Sequence, residues 1–139
     1  MQYKRFGDKI FLRLDRGDEI AESIKTVAEK ENIAAANISG IGATDGFTVG
    51  VFDESKKDYE RFSFCGNHEI TALVGNISRK GGKVYVHLHI TCAGSGGKVV
   101  GGHLLAANVS LTAEIIISVA SANVSRKHDA AEGINKWSF

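Results

Sequence analysis

Three of the chain's five histidines lie between Val86 and Leu104, and their spacing is the strongest chemical signal in the sequence. Side chains alternate between the two faces of a strand, so the run Val84-Tyr85-Val86-His87-Leu88-His89-Ile90 sends both imidazoles to one side and Val86, Leu88 and Ile90 to the other. A glycine-rich stretch from Cys92 to Gly97 follows, and Val99-Val100-Gly101-Gly102-His103-Leu104-Leu105 heads back. A tight reversal there would return His103 to the histidine face. Three converging imidazoles suit a borderline-soft divalent ion, zinc above all, with a fourth position left for water or a ligand. The plainer alternative is a polar strand face turned to solvent, with His103 bonded to backbone in a glycine bend.

The elements that must position these residues can be read from the pattern around them. Lys9 to Leu14 alternates as a strand, and Asp15 to Asp18 ends it. Asp18 can cap a helix in which Ile20, Ile24, Val27 and Ala28 share one face, closing near Asn32. Small residues and glycines from Ala34 to Ala43 lead into a second strand that continues to Asp53, and DESKKD (53–58) reads as a solvated hairpin turn. Tyr59 to Phe64 pairs back, Gly66-Asn67 turns, and a long strand runs from Glu69 to Ser78. Arg79-Lys80-Gly81-Gly82 is a hairpin signal that leads into the histidine strand, which makes the Glu69 strand its antiparallel neighbour. Glu69 is therefore the carboxylate best placed to approach the site as a general base, although a surface or core-pairing role explains it better. His68 reads as an exposed edge residue, and His128 lies among charges in the tail.

Beyond His103, Ala106-Ala107-Asn108 predicts a further turn. The strand after it places Leu111, Ala113, Ile115, Ile117 and Val119 on one face under the helix, and Thr112, Glu114, Ile116 and Ser118 on a half-apolar outer face. That mixed face fits burial against another subunit. Ser121 to Phe139 reads as a polar tail whose Trp137 and Phe139 dock on the sheet rim. The expected architecture is α/β in the α+β sense: an antiparallel sheet with one main helix packed on it.

The segments Val86-His87-Leu88-His89-Ile90 and Gly101-Gly102-His103-Leu104 resemble the signature of the plants-and-prokaryotes-conserved (PPC) domain. Val27 to Lys30 with Ser39 to Ala43, Glu69 to Ser78, and Leu111 to Glu114 resemble further segments of that family in the same order. The resemblance runs from about Ile10 to Val119. It implies an antiparallel sheet domain that forms homotrimers, with a metal on the three histidines in some prokaryotic members. It also implies a DNA-associated role, because in plants the domain follows AT-hook motifs in nuclear proteins.

Bulk properties limit what such a protein does. At 139 residues with 43% hydrophobic residues, the chain is one domain with a sizeable core, about 9–120, followed by the tail 121–139. A net charge of +1 and a pI near 7.8 lack the basic footprint of a protein that grips phosphates by charge alone. The chain has no proline and so cannot contain the Arg-Gly-Arg-Pro core of an AT-hook. Its basic pairs, Arg79-Lys80 and Arg126-Lys127 among them, are short and scattered. Cys65 and Cys92 lack a CxxC spacing and read as reduced, buried thiols of a cytoplasmic protein. No apolar run suggests a signal peptide or a membrane span.

Other catalytic motifs fail on particular positions. Gly40-Ile41-Gly42 has Asp45 where a dinucleotide fingerprint needs its third glycine. Gly97-Lys98 is followed by Val99 where a phosphate loop needs Ser or Thr, and no G-x-S-x-G elbow occurs. Three readings remain. The first is a homotrimeric, partner-binding, DNA-associated module with a three-histidine metal site. The second is a zinc-dependent hydrolase or small-ligand-binding protein that uses the same histidines. The third is a protein that binds DNA directly.

Overall fold

The computed structural model describes all residues from Met1 to Phe139. Its elements in chain order are β1 (Gln2–Phe6), β2 (Lys9–Asp15), α1 (Ile20–Lys30), β3 (Ala36–Asp53), β4 (Asp58–Lys80), β5 (Lys83–Ala93), β6 (Val99–Val119), β7 (Ser125–Asp129) and β8 (Ile134–Ser138). The architecture is a mostly antiparallel sheet with one helix packed on it, in the order β1-β2-β6-β3-β4-β7-β8, and β5 pairs with both β4 and β6. Because β5 bridges β4 and β6, the strands β3, β4, β5 and β6 close on one another.

Strands β3, β4 and β6 are 18, 23 and 21 residues long, several times the usual strand of about 5–6. Strands of this length must bend to enclose a core, and they do so at bulges. Two turns expected from the sequence prove to be such bulges. Gly66-Asn67 lies inside β4, where Gly66 takes φ +89° and the ladder steps from Gly46–Cys65 to Thr44–His68. Ala106 to Asn108 likewise lies inside β6, at register shifts against β3. A glycine with positive φ can absorb an extra residue without reversing the chain, which is why the two cases look alike in sequence.

The β6 bulges also correct the expected core face. Val109 and Ser110 are both buried and Leu111 and Thr112 both exposed, so the alternation slips twice: Leu111 ends 64% exposed, while Ala113, Ile115 and Ile117 point inward as the spacing predicts. The helix buries Ile20, Ile24, Val27 and Ala28 against this surface, as its spacing predicts. Each such apolar side chain taken from water contributes on the order of 1.5–3 kcal/mol. The capping residue is Glu19 rather than Asp18: the Glu22 N–H donates to Glu19 Oε2 at 2.7 Å, and the Asp15 N–H donates to Asp18 Oδ2 at 2.9 Å. The helix ends at Lys30, and Asn32 follows at φ +49°.

The hairpin at Gly81-Gly82 joins β4 to β5 in the expected register, with both glycines at positive φ and Lys80 opposite Lys83. Two features lie outside the sequence reading. β1 pairs along β2 as an edge strand, and the supposed tail forms the β7–β8 hairpin, tied to β4 by the parallel pair Arg79–Ser125. Trp137 is half-exposed and Phe139 is 97% exposed, so the terminal aromatics do not both dock on the rim. No helix is long and apolar enough to cross a membrane.

Candidate metal centre

On β5 the alternation holds: Val84, Leu88, Ile90 and Cys92 are buried in the core, and Tyr85, His87 and His89 stand on the opposite face. Cys92 is fully buried, and burial pushes its thiol up to about 11, so it stays protonated and faces away from the histidines. Chain reversal occurs at residues 94–98, so Gly101 and Gly102 lie within β6 rather than in a bend. Their lack of a side chain is what lets β6 fit there. A Cβ on Gly101 would lie 2.3 Å from the Ile90 carbonyl oxygen, and one on Gly102 would lie 2.9 Å from that of Gly50. This close fit sets His103 directly opposite His89 on β5 and Gly50 on β3.

The three rings converge. Their centroids are 5.3 Å apart for His87–His89, 4.9 Å for His87–His103 and 5.3 Å for His89–His103. One ring nitrogen from each lies within 4.8 Å of the other two. His87 and His103 are half-buried and His89 is exposed, so the cluster opens to solvent on one side. The Nδ1 of His103 is buried and has no hydrogen-bond partner. Tyr59 stacks on the His103 ring at 4.7 Å and 23°, reaching it across Gly50.

The electrostatics favour the neutral form of His87 and His103. Burial, with smaller contributions from His103, Arg126 and His89, lowers His87 to about 4, and burial likewise lowers His103. Neutral imidazole is the form that donates a lone pair to a metal. The ring nitrogens and the orphaned His103 Nδ1 therefore fit a borderline-soft divalent ion, and His87, His89 and His103 are the residues that would hold it.

Glu69 lies elsewhere. It is exposed, opposite Ala93 on β5 and Ala43 on β3, four residues along β5 from His89 or roughly 13 Å at strand rise. A bulge between Ile70 and Ala72 shifts the register just before it. His68 is not an edge residue: it is half-buried in β4, edge-on to Phe47 at 5.1 Å, and its Nδ1 lies 2.7 Å from the Gly66 carbonyl oxygen. His128 is exposed on β7.

The sequence reading missed the cluster's surroundings. Asn76 sits opposite His87, a position obtainable by counting back from the Gly81-Gly82 turn, and Tyr85 was legible from alternation. Arg126 on β7 was not legible at all. It is only 8% exposed, and its Nε donates to Ser78 Oγ at 2.8 Å, its Nη1 to the Asn135 carbonyl at 2.9 Å and its Nη2 to Asn76 Oδ1 at 2.8 Å. The same Nη2 lies 3.3 Å from His87 Nδ1, and the guanidinium packs over the Tyr85 ring at 4.6 Å.

Known structures share this arrangement of strands. A protein from Bacteroides thetaiotaomicron, provisionally described as DNA-binding, superposes with a TM-score of 0.96 at 32% identity over 99% of this chain and 96% of its own. A plant- and prokaryote-conserved (PPC) protein from Pyrococcus horikoshii matches with a TM-score of 0.87 at 32% identity, covering 99% and 94% of the two chains. A metal-containing protein from Archaeoglobus fulgidus matches with a TM-score of 0.87 at 31% identity, covering 100% and 99%. No curated protein matches in sequence. The sequence profile of the Plants and Prokaryotes Conserved domain matches residues 1–121, which takes in the helix, the long bent strands and all three histidines. The chain therefore belongs to the Plants and Prokaryotes Conserved (PCC, also written PPC) domain family.

Proposed function

We propose that this chain is a metal-binding PCC-domain module, homotrimeric and cytoplasmic, that acts through protein partners in DNA-associated complexes. The observation that carries the metal reading is the convergence of one ring nitrogen from each of three histidines within 4.8 Å, beside a His103 Nδ1 that is buried and has no partner. Zinc suits an all-imidazole donor set. When bound, such an ion supplies a Lewis-acidic position open to one small ligand. The chain's own residues do the rest: Tyr59 fixes the plane of His103, and Asn76 and Ser78 hold Arg126 at the edge of His87. The hydrolase reading relied on Glu69 as base, and Glu69 is not beside the cluster.

The trimer reading is supported by the outer face of the sheet. Phe11, Ile41, Val74 and Ile116 are 50%, 58%, 51% and 36% exposed, and they line a groove of about 880 Å³ across β2, β3, β4 and β6. Monomers seldom leave such a contiguous apolar surface in water. A partner-mediated DNA role, rather than direct phosphate binding, accords with a net charge of +1. Cys92 is buried as expected and Cys65 is exposed instead, and both free thiols accord with a reducing compartment.

Metal analysis of untagged protein tests the centre. Wild type is expected to carry about one ion per chain, and His87→Ala and His103→Ala to lose it. Absence of stoichiometric metal in the wild type after incubation with zinc overturns the reading. Solution mass tests the assembly: a monomer at micromolar concentration refutes the trimer. Binding to AT-rich and random duplexes across a salt series tests direct DNA contact, for which a flat, weak response is expected.

A further inference from the structure

Arg126 approaches the histidine cluster from the β7–β8 hairpin, which lies beyond the residues matched by the family profile. It is a buried cation with no anion: no carboxylate stands within ion-pair distance of it, and its partners are Ser78, Asn76, the Asn135 carbonyl and His87. Burying a guanidinium costs several kcal/mol unless an opposite charge or a full set of acceptors offsets it. A divalent ion on the histidines worsens the imbalance, because the cluster contains no acidic side chain.

Metal binding also disrupts one of the arginine's own contacts. Nη2 of Arg126 stands 3.3 Å from Nδ1 of His87, and a guanidinium can only donate there, so the contact needs the Nδ1 lone pair as acceptor. An ion taken on Nδ1 removes that acceptor. An ion taken on Nε2 fixes the proton on Nδ1, and the contact becomes donor against donor. In either case an Nη2–H beside His87 would be left without an acceptor. Oxygen of a carboxylate or phosphate is the group that satisfies both a guanidinium and a metal.

We propose that the three-histidine centre is a receptor for a small oxyanion, held between the ion's open position and Nη2 of Arg126. The proposal rests on the metal reading above and names the ligand class of that site. Tyr59, stacked on His103, and Tyr85, beneath the guanidinium, are the aromatic neighbours of this position.

Cobalt(II) serves as a visible-spectrum probe of the site. Protein loaded with Co(II) is titrated with acetate and, separately, with inorganic phosphate. At least one is expected to change the d–d absorption saturably, with Kd of about 1 mM or tighter. Arg126→Gln is expected to keep its Co(II) and to weaken the anion by about tenfold to a hundredfold, the loss of a charge-assisted hydrogen bond. Arg126→Lys, which retains the charge without the fork, should recover part of that affinity. Trp137 is the chain's single tryptophan and lies 5.9 Å from the guanidinium, so its emission reports whether the hairpin stays docked in each variant. A Co(II)-loaded wild type that ignores both anions overturns this proposal alone, as does undiminished anion affinity in docked Arg126→Gln. A wild type that takes up no Co(II) overturns the metal centre and this proposal together.

Discussion

Gly75→Ala sets two physical arguments against each other. Gly75 lies in β4 opposite Leu88, next to the His87–Asn76 pair, and its φ is not in the left-handed region. On backbone entropy alone, alanine in a strand should stabilise the protein by roughly 0.5–1 kcal/mol. The packing says otherwise. A Cβ at this position would lie 2.0 Å from the His87 carbonyl oxygen, 3.0 Å from its carbon and 2.9 Å from Leu88 Cδ2. Carbon and oxygen tolerate an approach of roughly 3.3 Å, so the strands must part by about 1 Å, and no rotamer change relieves a clash with backbone. Overpacking of this kind costs about 1–3 kcal/mol, which outweighs the entropic gain. The expected result is a lower urea midpoint at fixed protein concentration, together with weakened metal uptake because β5 carries both His87 and His89. An unchanged or raised midpoint would refute the claim that β4 and β5 are held together at this point by the absence of a side chain.

Two other perturbations test separate parts of the structure. His87 is held at about 4 in the folded, metal-free protein against 6.5 for the free side chain, so the unfolded chain binds the extra proton. Stability is then full above about pH 6.5 and declines as pH falls toward 4, by at most about 3 kcal/mol and nearer 1–2 with allowance for solvent at a half-buried ring. Urea midpoints of metal-free wild type and His87→Gln from pH 4 to 7.5 should diverge in that window; parallel profiles would contradict it. Arg79 joins the helix end to the β4–β5 hairpin, donating to the Ile33 carbonyl at 3.0 Å, to Asn32 Oδ1 at 3.0 Å and to the Gly82 carbonyl at 3.2 Å. Arg79→Met should cost about 1–2 kcal/mol and lower Tm by several degrees, measured by circular dichroism.

The parts of the fold that were legible in the sequence are those specified locally. The helix follows from the spacing of Ile20, Ile24, Val27 and Ala28, and the β4–β5 hairpin from Gly81-Gly82. The long strands were cut short because a bulge and a turn use the same residues: Gly66 at φ +89° and the small residues Ala106 and Ala107 mark bends within strands that tertiary pairing keeps going. The capping glutamate was passed over because Asp18 is the better intrinsic cap, yet Glu19 also ties the helix start to β6, where its Oε1 accepts the Ala107 N–H at 3.1 Å. Arg126 escaped for the opposite reason. Nothing near it in sequence is apolar enough to predict burial, and its partners are 48 and 50 residues away on β4.

The position of the centre follows from a fork in the sheet. β6 pairs with β5 only as far as His103 opposite His89, and it pairs with β2 only from Thr112 onward. Between those limits its free edge is satisfied by the start of the helix, through the Glu19–Asn108 bridge and reciprocal bonds from Gly17 to Val109 and from Val109 to Asp18. On the other side of the fork, β5 from Lys83 to Leu88 pairs with β4 alone, so His87 projects where one strand leaves and no other replaces it. Beside that gap the β7–β8 hairpin places Arg126. A strand ladder that continued past His103 would have filled the position with a side chain. Because the ladder ends there, three imidazoles and a guanidinium border an opening that strand pairing does not close, and an exposed His89 leaves it accessible from solvent.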